Sequence, residues 1–135
     1  GENAAGSPSR FTGVLPAYGL KIFNTEFSHV GLTKHDAELL GYKTEIVSTS
    51  ALDKPAMFAD AERINISLLY NSEDKVLLGA SIFGKAGASL RANILSVAIN
   101  NRLTLSDLVN LDFVYHPLMT PIRDPIYLCA SLGLK

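Results

Sequence analysis

Residues 63–83 limit the folds open to this chain more than any other segment. Apolar side chains alternate with polar ones over 63–70, an Asn-Ser-Glu-Asp turn occupies 71–74, and an apolar strand-like run returns over 76–83. A period of two residues is typical of a strand with one buried face, and a short turn between two such runs joins antiparallel strands. The chain is therefore predicted to contain an antiparallel sheet built around this β-hairpin.

Residues 88–100 follow a helical period instead. Leu90, Ile94 and Val97 form one apolar row, and a second row lies beside it, so that only one polar row remains. Such a helix is predicted to be buried on most of its circumference, which requires both its own sheet and a partner surface. The second row contains Ala88, Ala92, Leu95 and Ile99.

Residues typical of helix starts and helix ends predict three shorter helices. Thr33 and Thr104 each stand three residues before an aspartate, which is the pattern that caps a helix start, and Gly41 and Gly133 suit helix ends. The predicted helices cover residues 34–40, 105–110 and 126–132.

The remaining pattern completes the fold prediction. Residues 20–30 are predicted as one extended piece and 42–50 as a strand, and 51–62, which contain Pro55, are predicted as a loop. Strands followed by helices, without regular alternation of the two, indicate an α+β domain. We expect an antiparallel sheet with helices packed on one face.

Length and composition restrict the partners. The 135 residues suffice for one domain, and residues 1–19, rich in Gly, Ala, Ser and Pro, are predicted to be a linker. A net charge of −1 gives no attraction to nucleic acid or an anionic membrane, and no apolar run is long enough to span a bilayer. The 47% hydrophobic content and mean hydropathy of +0.20 favour an apolar interface, which we expect to form a homodimer.

The single cysteine, Cys129, excludes an internal disulfide and a multi-thiolate zinc site, and its apolar neighbours predict a buried structural residue. The chain begins Gly-Glu-Asn without an initiator Met or a secretory signal, so we expect a piece of a longer cytoplasmic protein.

Familiar cofactor motifs are missing from the sequence. It contains neither a Gly-x-Gly-x-x-Gly run nor a Walker A motif, so no known phosphate-cradling loop is present. The three histidines stand far apart, and no metal site is expected. His35 is predicted to be a solvated surface residue and His29 a half-exposed strand residue.

His116 lies in a different setting, the proline-rich segment 113–125. Tyr115, His116 and Asp124 bring a phenol, an imidazole and a carboxylate within ten residues, and prolines restrict the backbone around them. One interpretation is a rigid turn that carries catalytic groups. The other is structural: Tyr115 and His116 bond to backbone, and Asp124 caps the last helix ahead of Pro125.

The order of several short motifs resembles the C-terminal dimerisation domain of the FAD-dependent pyridine nucleotide-disulfide oxidoreductases, in the branch with CoA-disulfide reductase, NADH oxidase and NADH peroxidase. The resemblance covers almost the whole chain, and the order and spacing of the motifs carry it. These are Gly1-Glu-Asn-Ala-Ala-Gly6, Gly31-Leu-Thr-Lys-His-Asp-Ala37, Gly41-Tyr42, Leu78-Gly79-Ala80, Gly84-Lys85, the Arg91 helix, Leu103-Thr-Leu-Ser-Asp107 and residues 112–125.

The resemblance implies a division of the chain and a role for its turn. Residues 1–19 would be the tail of an FAD-binding domain or a linker, and 20–135 the dimerisation domain. Tyr115 and His116 would act catalytically across the dimer, with Pro117 and Met119 near the partner subunit's flavin. FAD, NAD(P)H and the redox cysteine would be held by upstream domains of the same chain, so the fragment alone would be inactive.

Three departures from the branch bear on the substrate. The branch commonly has Tyr-Ala-Pro-Pro-aromatic where this chain has Tyr-His-Pro-Leu-Met at 115–119, and Met57 and Phe58 stand where CoA-disulfide reductases carry a Tyr pair. Both changes remove proton donors, which argues against CoA-disulfide reduction. His116 with Pro117 instead resembles the His-Pro of the glutathione reductase branch, whose imidazole is an acid-base partner of the cysteine pair.

In that branch a Glu orients the imidazole, and Pro121 replaces it here. Asp124 is the substitute that the sequence offers.

Two other functions stay open at this point. One is a non-enzymatic α+β binding or scaffold module, which an upstream coding frame with two Gly-x-Gly-x-x-Gly runs and a redox Cys would exclude. The other is a self-sufficient hydrolase that uses His116 and Asp124, although no partnered nucleophile stands out.

Overall fold

Five antiparallel strands form one sheet in the computed structural model, which describes residues 1–11 and 13–135. The strands are β1 (Ala17–Ile22), β2 (Thr25–Gly31), β3 (Thr44–Leu52), β4 (Arg63–Asn71) and β5 (Leu77–Gly84). Their spatial order is β1-β2-β5-β4-β3, and every neighbouring pair is antiparallel. The α+β prediction is confirmed.

The predicted hairpin is the centre of the sheet. β4 pairs with β5 so that Ile66 lies opposite Ile82 and Ser67 opposite Ser81. The turn closes where the Lys75 amide donates to the Asn71 carbonyl oxygen at 2.9 Å. Both strands of the hairpin lie within the sheet, with β2 and β3 paired to their outer edges, so their alternate residues build the core.

Two strand predictions are corrected. Residues 20–30 are two strands, because the chain reverses at Phe23 and Asn24 and brings Ile22 opposite Thr25. Phe23 itself takes the left-handed conformation (φ 51°), which a phenylalanine rarely adopts, and this is why no turn was predicted there. β3 begins at Thr44 and not at residue 42. β1 starts inside the predicted linker, and residue 12 of that linker lies outside the described part.

The helices begin where their caps predict. Thr33 Oγ1 accepts from the Asp36 amide, and Thr104 forms a reciprocal capping box with Asp107, in which the Asp107 carboxylate accepts from the Thr104 amide at 2.8 Å. The helices are α1 (Lys34–Leu39), α2 (Ala88–Asn100), α3 (Leu105–Val109) and α4 (Pro125–Gly133), and a 3-10 turn covers Asn3–Ala5.

The main core lies between one face of the sheet and α2, α3 and α4. Ile66 and Leu68 of β4 pack there with Leu95 of α2 and Ile126 of α4, all at most 1% exposed. α1 stands apart from this core, where its Ala37 packs in a smaller cluster with Leu32, Leu69 and Leu78.

α2 is less buried than predicted. The row that contains Ala92 and Leu95 faces the sheet, but Leu90 and Val97 are 69% and 62% exposed. The sheet covers only one of the two apolar rows, because its strands lie on one side of the helix. The other row stays exposed in the described chain.

Replacement of Gly79 is predicted to destabilise the fold, because its surroundings leave no room for a side chain. A Cβ at this position would lie 2.1 Å from the Leu32 carbonyl oxygen, a backbone atom that cannot move away cheaply. We expect Gly79→Ala to lower the free energy of unfolding by at least about 2 kcal/mol in a urea titration. Gly19→Ala is the control, because its Cβ would meet only Ser28 Oγ at 3.3 Å and Phe27 O at 3.5 Å. Equal stability of the two variants would contradict this packing.

Candidate active site

The segment between α3 and α4 forms an exposed turn. Tyr115 is 49% exposed, Leu118 60% and Met119 69%, and His116 is also exposed. The segment therefore presents a phenol, an imidazole and a thioether to the surroundings within five residues. We call residues 114–120 the site turn.

Hydrogen bonds within the site turn hold its shape. The His116 carbonyl oxygen accepts from the Met119 amide at 2.9 Å and the Thr120 amide at 2.8 Å. Thr120 Oγ1 accepts from the His116 amide at 3.0 Å and donates to the Val114 carbonyl oxygen at 2.8 Å. Sequence reasoning missed Thr120, although a hydroxyl residue at the end of a turn is a recognised local hydrogen-bonding signal.

The His116 ring is oriented by backbone. The Leu118 amide donates to Nδ1 at 3.2 Å, so the residue two positions on restrains the imidazole. This contact agrees with the structural interpretation, in which His116 bonds to backbone, and it leaves Nε2 free for another partner. Asp124, the predicted orienting carboxylate, does not serve this purpose because its oxygens are engaged elsewhere.

Asp124 forms a buried ion pair with Arg91 of α2. Arg91 Nη2 donates to Oδ2 at 2.8 Å and Nε to the same oxygen at 3.1 Å, with both side chains at most 9% exposed. Asp124 Oδ1 also accepts from the Ile126 amide at 2.9 Å, which confirms the prediction that Asp124 caps the last helix. One carboxylate therefore joins α2 to the start of α4, just after the site turn.

In the sequence, Arg91 was recognised only as a residue of a helix that resembles the family's dimerisation domain. The signal was present, because Arg91 lies among the buried positions of α2, where a guanidinium needs a partner. The partner is 33 positions away in sequence, so its identity was not readable from local pattern.

His29 is buried, and the half-exposed prediction is wrong. It is 7% exposed, its Nδ1 lies 2.9 Å from Ser81 Oγ, and its ring centroid lies 5.3 Å from that of Tyr18. The strand pattern placed His29 on the sheet but did not reveal that neighbouring strands cover it. His35 is exposed, as predicted.

Cys129 is fully buried, as predicted, and donates weakly to the carbonyl oxygens of Val47 and Ile66. Burial raises the pKa of its thiol to about 12, so the reactive thiolate is scarce at neutral pH. Cys129 is therefore unsuited to redox chemistry. Among residues 1–11 and 13–135, no three His, Cys, Asp or Glu side chains group as metal ligands do.

Residues 18–124 match the dimerisation domain of the pyridine nucleotide-disulphide oxidoreductases, and the chain belongs to this family. Over its full length it is 30% identical to an NADH oxidase of Methanocaldococcus jannaschii. It is 27% identical over 99% of its length to a coenzyme A disulfide reductase of Staphylococcus aureus. An NAD-dependent persulfide reductase from A. fulgidus superposes on 98% of the chain with a TM-score of 0.91 and 26% identity.

These relatives are much longer than the chain. It spans 30% of the NADH oxidase and of the disulfide reductase, and 25% of the persulfide reductase chain. In the described ranges, every helix falls short of the length and apolarity needed to cross a membrane.

The Arg91–Asp124 pair is predicted to be strongly coupled. Arg91→Met leaves a buried carboxylate without its partner and is expected to cost about 3–5 kcal/mol of unfolding free energy. Asp124→Ser keeps a helix-capping oxygen but leaves a buried guanidinium unpaired. The double variant removes both charges, so it should be more stable than Arg91→Met alone in urea titrations. Additive losses would show that the pair is not coupled.

Proposed function

We propose that the chain is the dimerisation and active-site-lid domain of an FAD-dependent NAD(P)H oxidoreductase, with residues 1–19 as the tail of the FAD domain or a linker and 20–135 as the dimerisation domain. Family membership and the exposed, internally braced site turn support the proposal. The electron acceptor is a disulfide, peroxide, oxygen or sulfur species; the names of the relatives, an oxidase, a disulfide reductase and a persulfide reductase, support all of these except peroxide, which the family resemblance adds.

The cofactors are assigned to other domains of the parent chain. α2 is the longest helix described, and its first amide, that of Ala88, already donates to the Glu26 carboxylate at 3.1 Å. A dinucleotide pyrophosphate at this helix start would meet a like charge, so α2 does not fit FAD or NAD(P)H. When bound elsewhere in the parent, FAD accepts a hydride from NAD(P)H. Because NAD(P)H is a cytoplasmic reductant, the proposal includes a cytoplasmic parent.

The site turn is assigned to the active site of the partner subunit. Tyr115 and His116 are the catalytic residues in this proposal, and Pro117 and Met119 lie near the partner's flavin. Two features support the assignment. The site-turn side chains project away from the domain's own core, Thr120 closes the turn onto His116 and Val114, and the Asp124 cap anchors the chain just after the turn.

α2 supplies the proposed homodimer surface. Leu90, Ile94 and Val97 recur at helical spacing and are 69%, 39% and 62% exposed. The only charged residue in α2 is Arg91, which is buried, so two copies of the stripe can meet without repulsion between charges. An apolar stripe flanked by neutral polar residues suits a twofold, self-complementary interface.

The function is tested on the parent enzyme, expressed from the coding frame that contains this chain. We expect bound FAD by absorbance, NAD(P)H oxidation that depends on one of the named acceptors, and no oxidation by the 135-residue chain alone. His116→Phe should lower kcat by about 100-fold, which is a typical contribution of a positioned proton donor or acceptor. A coding frame without two Gly-x-Gly-x-x-Gly runs and a redox cysteine would favour the scaffold function instead.

The dimer surface is tested by charge substitution. Leu90→Glu is expected to shift the chain from dimer to monomer in sedimentation equilibrium, because the interface would bury two carboxylates near each other. Leu39→Glu is the matched control, since Leu39 is a helical leucine with 74% exposure at α1, away from the stripe. A dimer that survives Leu90→Glu but not Leu39→Glu would place the interface elsewhere.

A further inference from the structure

The contact between Leu118 and His116 determines which ring nitrogen carries the proton. A backbone N–H group can only donate a hydrogen bond, so the Leu118 N–H requires a lone pair on Nδ1. In the neutral imidazole the proton must then be on Nε2. Nε2 is the ring nitrogen that the site turn leaves free, and His116 is exposed, so an N–H group faces the surroundings.

We infer that His116 serves the reaction as a hydrogen-bond donor through Nε2–H and not as a general base. This inference rests on the proposed function, in which the site turn reaches the partner's active site. The group that it recognises is an anionic sulfur or oxygen atom, such as a thiolate or the oxyanion of a reduced acceptor. A neutral donor stabilises such an atom without any transfer of the proton.

The surrounding turn opposes the base-competent tautomer. A neutral imidazole with its proton on Nδ1 would set that N–H against the Leu118 N–H, so two donors would face each other. The backbone of the turn has little freedom to move the two N–H groups apart. The amide and carbonyl of His116 are both bonded to Thr120, and the ring of Pro117 fixes the backbone φ between the two partners.

The arrangement differs from one in which a carboxylate orients the ring. A carboxylate accepts from Nδ1–H and leaves Nε2 as a base, whereas an amide donates to Nδ1 and leaves Nε2 as a donor. The carboxylate that follows the turn in sequence, that of Asp124, is bonded to Arg91 and the Ile126 amide. The choice of partner for Nδ1 therefore reverses the role of Nε2.

The tautomer is tested on the 135-residue chain by the 15N chemical shifts of the His116 ring, which separate a protonated from an unprotonated nitrogen. In spectra of the neutral ring we expect the proton on Nε2. Leu118→Pro removes the donating amide and should yield a mixture of tautomers, while Leu118→Ala keeps the amide and should behave like the wild type. A proton on Nδ1 in the wild-type chain would overturn the inference.

The hydrogen-bond-donor role of His116 is tested in the parent enzyme with three substitutions at this position. Glutamine places an amide N–H near the position of Nε2 but cannot accept a proton as a base. We expect His116→Gln to keep kcat within about 10-fold of wild type, while His116→Phe loses about 100-fold, a typical cost of removing one hydrogen-bond donor from a developing anion. His116→Asn, whose amide reaches only the Nδ1 position, should resemble His116→Phe.

The outcomes separate the two proposals. Equal losses for His116→Gln and His116→Phe would refute the donor role and leave the catalytic assignment of His116 intact. Full activity of His116→Phe would refute the catalytic assignment itself, and the donor role with it. FAD content and the sedimentation mass of each variant show whether a loss of activity reflects chemistry or assembly.

Discussion

The ion pair between Arg91 and Asp124 links the two surfaces to which the proposed function assigns dimerisation and catalysis. Arg91 projects from α2 toward the protein interior, while Leu90 and Val97 of the same helix face outward. Asp124 follows the site turn and caps α4. Because one carboxylate holds both α2 and the start of α4, this buried ion pair adds to their shared packing on the sheet and links α2 to the chain just after the site turn.

This coupling explains why a turn with exposed side chains can hold a defined chemistry. Thr120 closes the turn onto His116 and Val114, Asp124 anchors the chain just after the turn, and the Leu118 amide orients the His116 ring. A site on a loop is precise only when supporting contacts restrict its backbone and rotamers. In the proposed function, the dimer then needs only to bring the preorganised turn to the partner subunit.

Sequence reasoning predicted what local chemistry determines. The hairpin, the capped helices and the Asp124 cap follow from residue period and from signals a few positions long. The failures involve distant residues or unusual backbone. Phe23 adopts a conformation that its side chain disfavours, Ser81 meets His29 from another strand, and Arg91 finds Asp124 across 33 positions. The Leu118 amide was missed because a backbone group leaves no mark in the residue pattern.

The most direct measurement is the activity of mixed dimers of the parent enzyme. One subunit carries His116→Phe and the other lacks the redox cysteine, so each homodimer is inactive. If the site turn serves the partner subunit, a hybrid pairs the intact cysteine of one chain with the intact His116 of the other, and one site works. Random mixing should then restore about a quarter of wild-type activity. A mixture that stays inactive while hybrids are shown to form would contradict an active site shared between subunits.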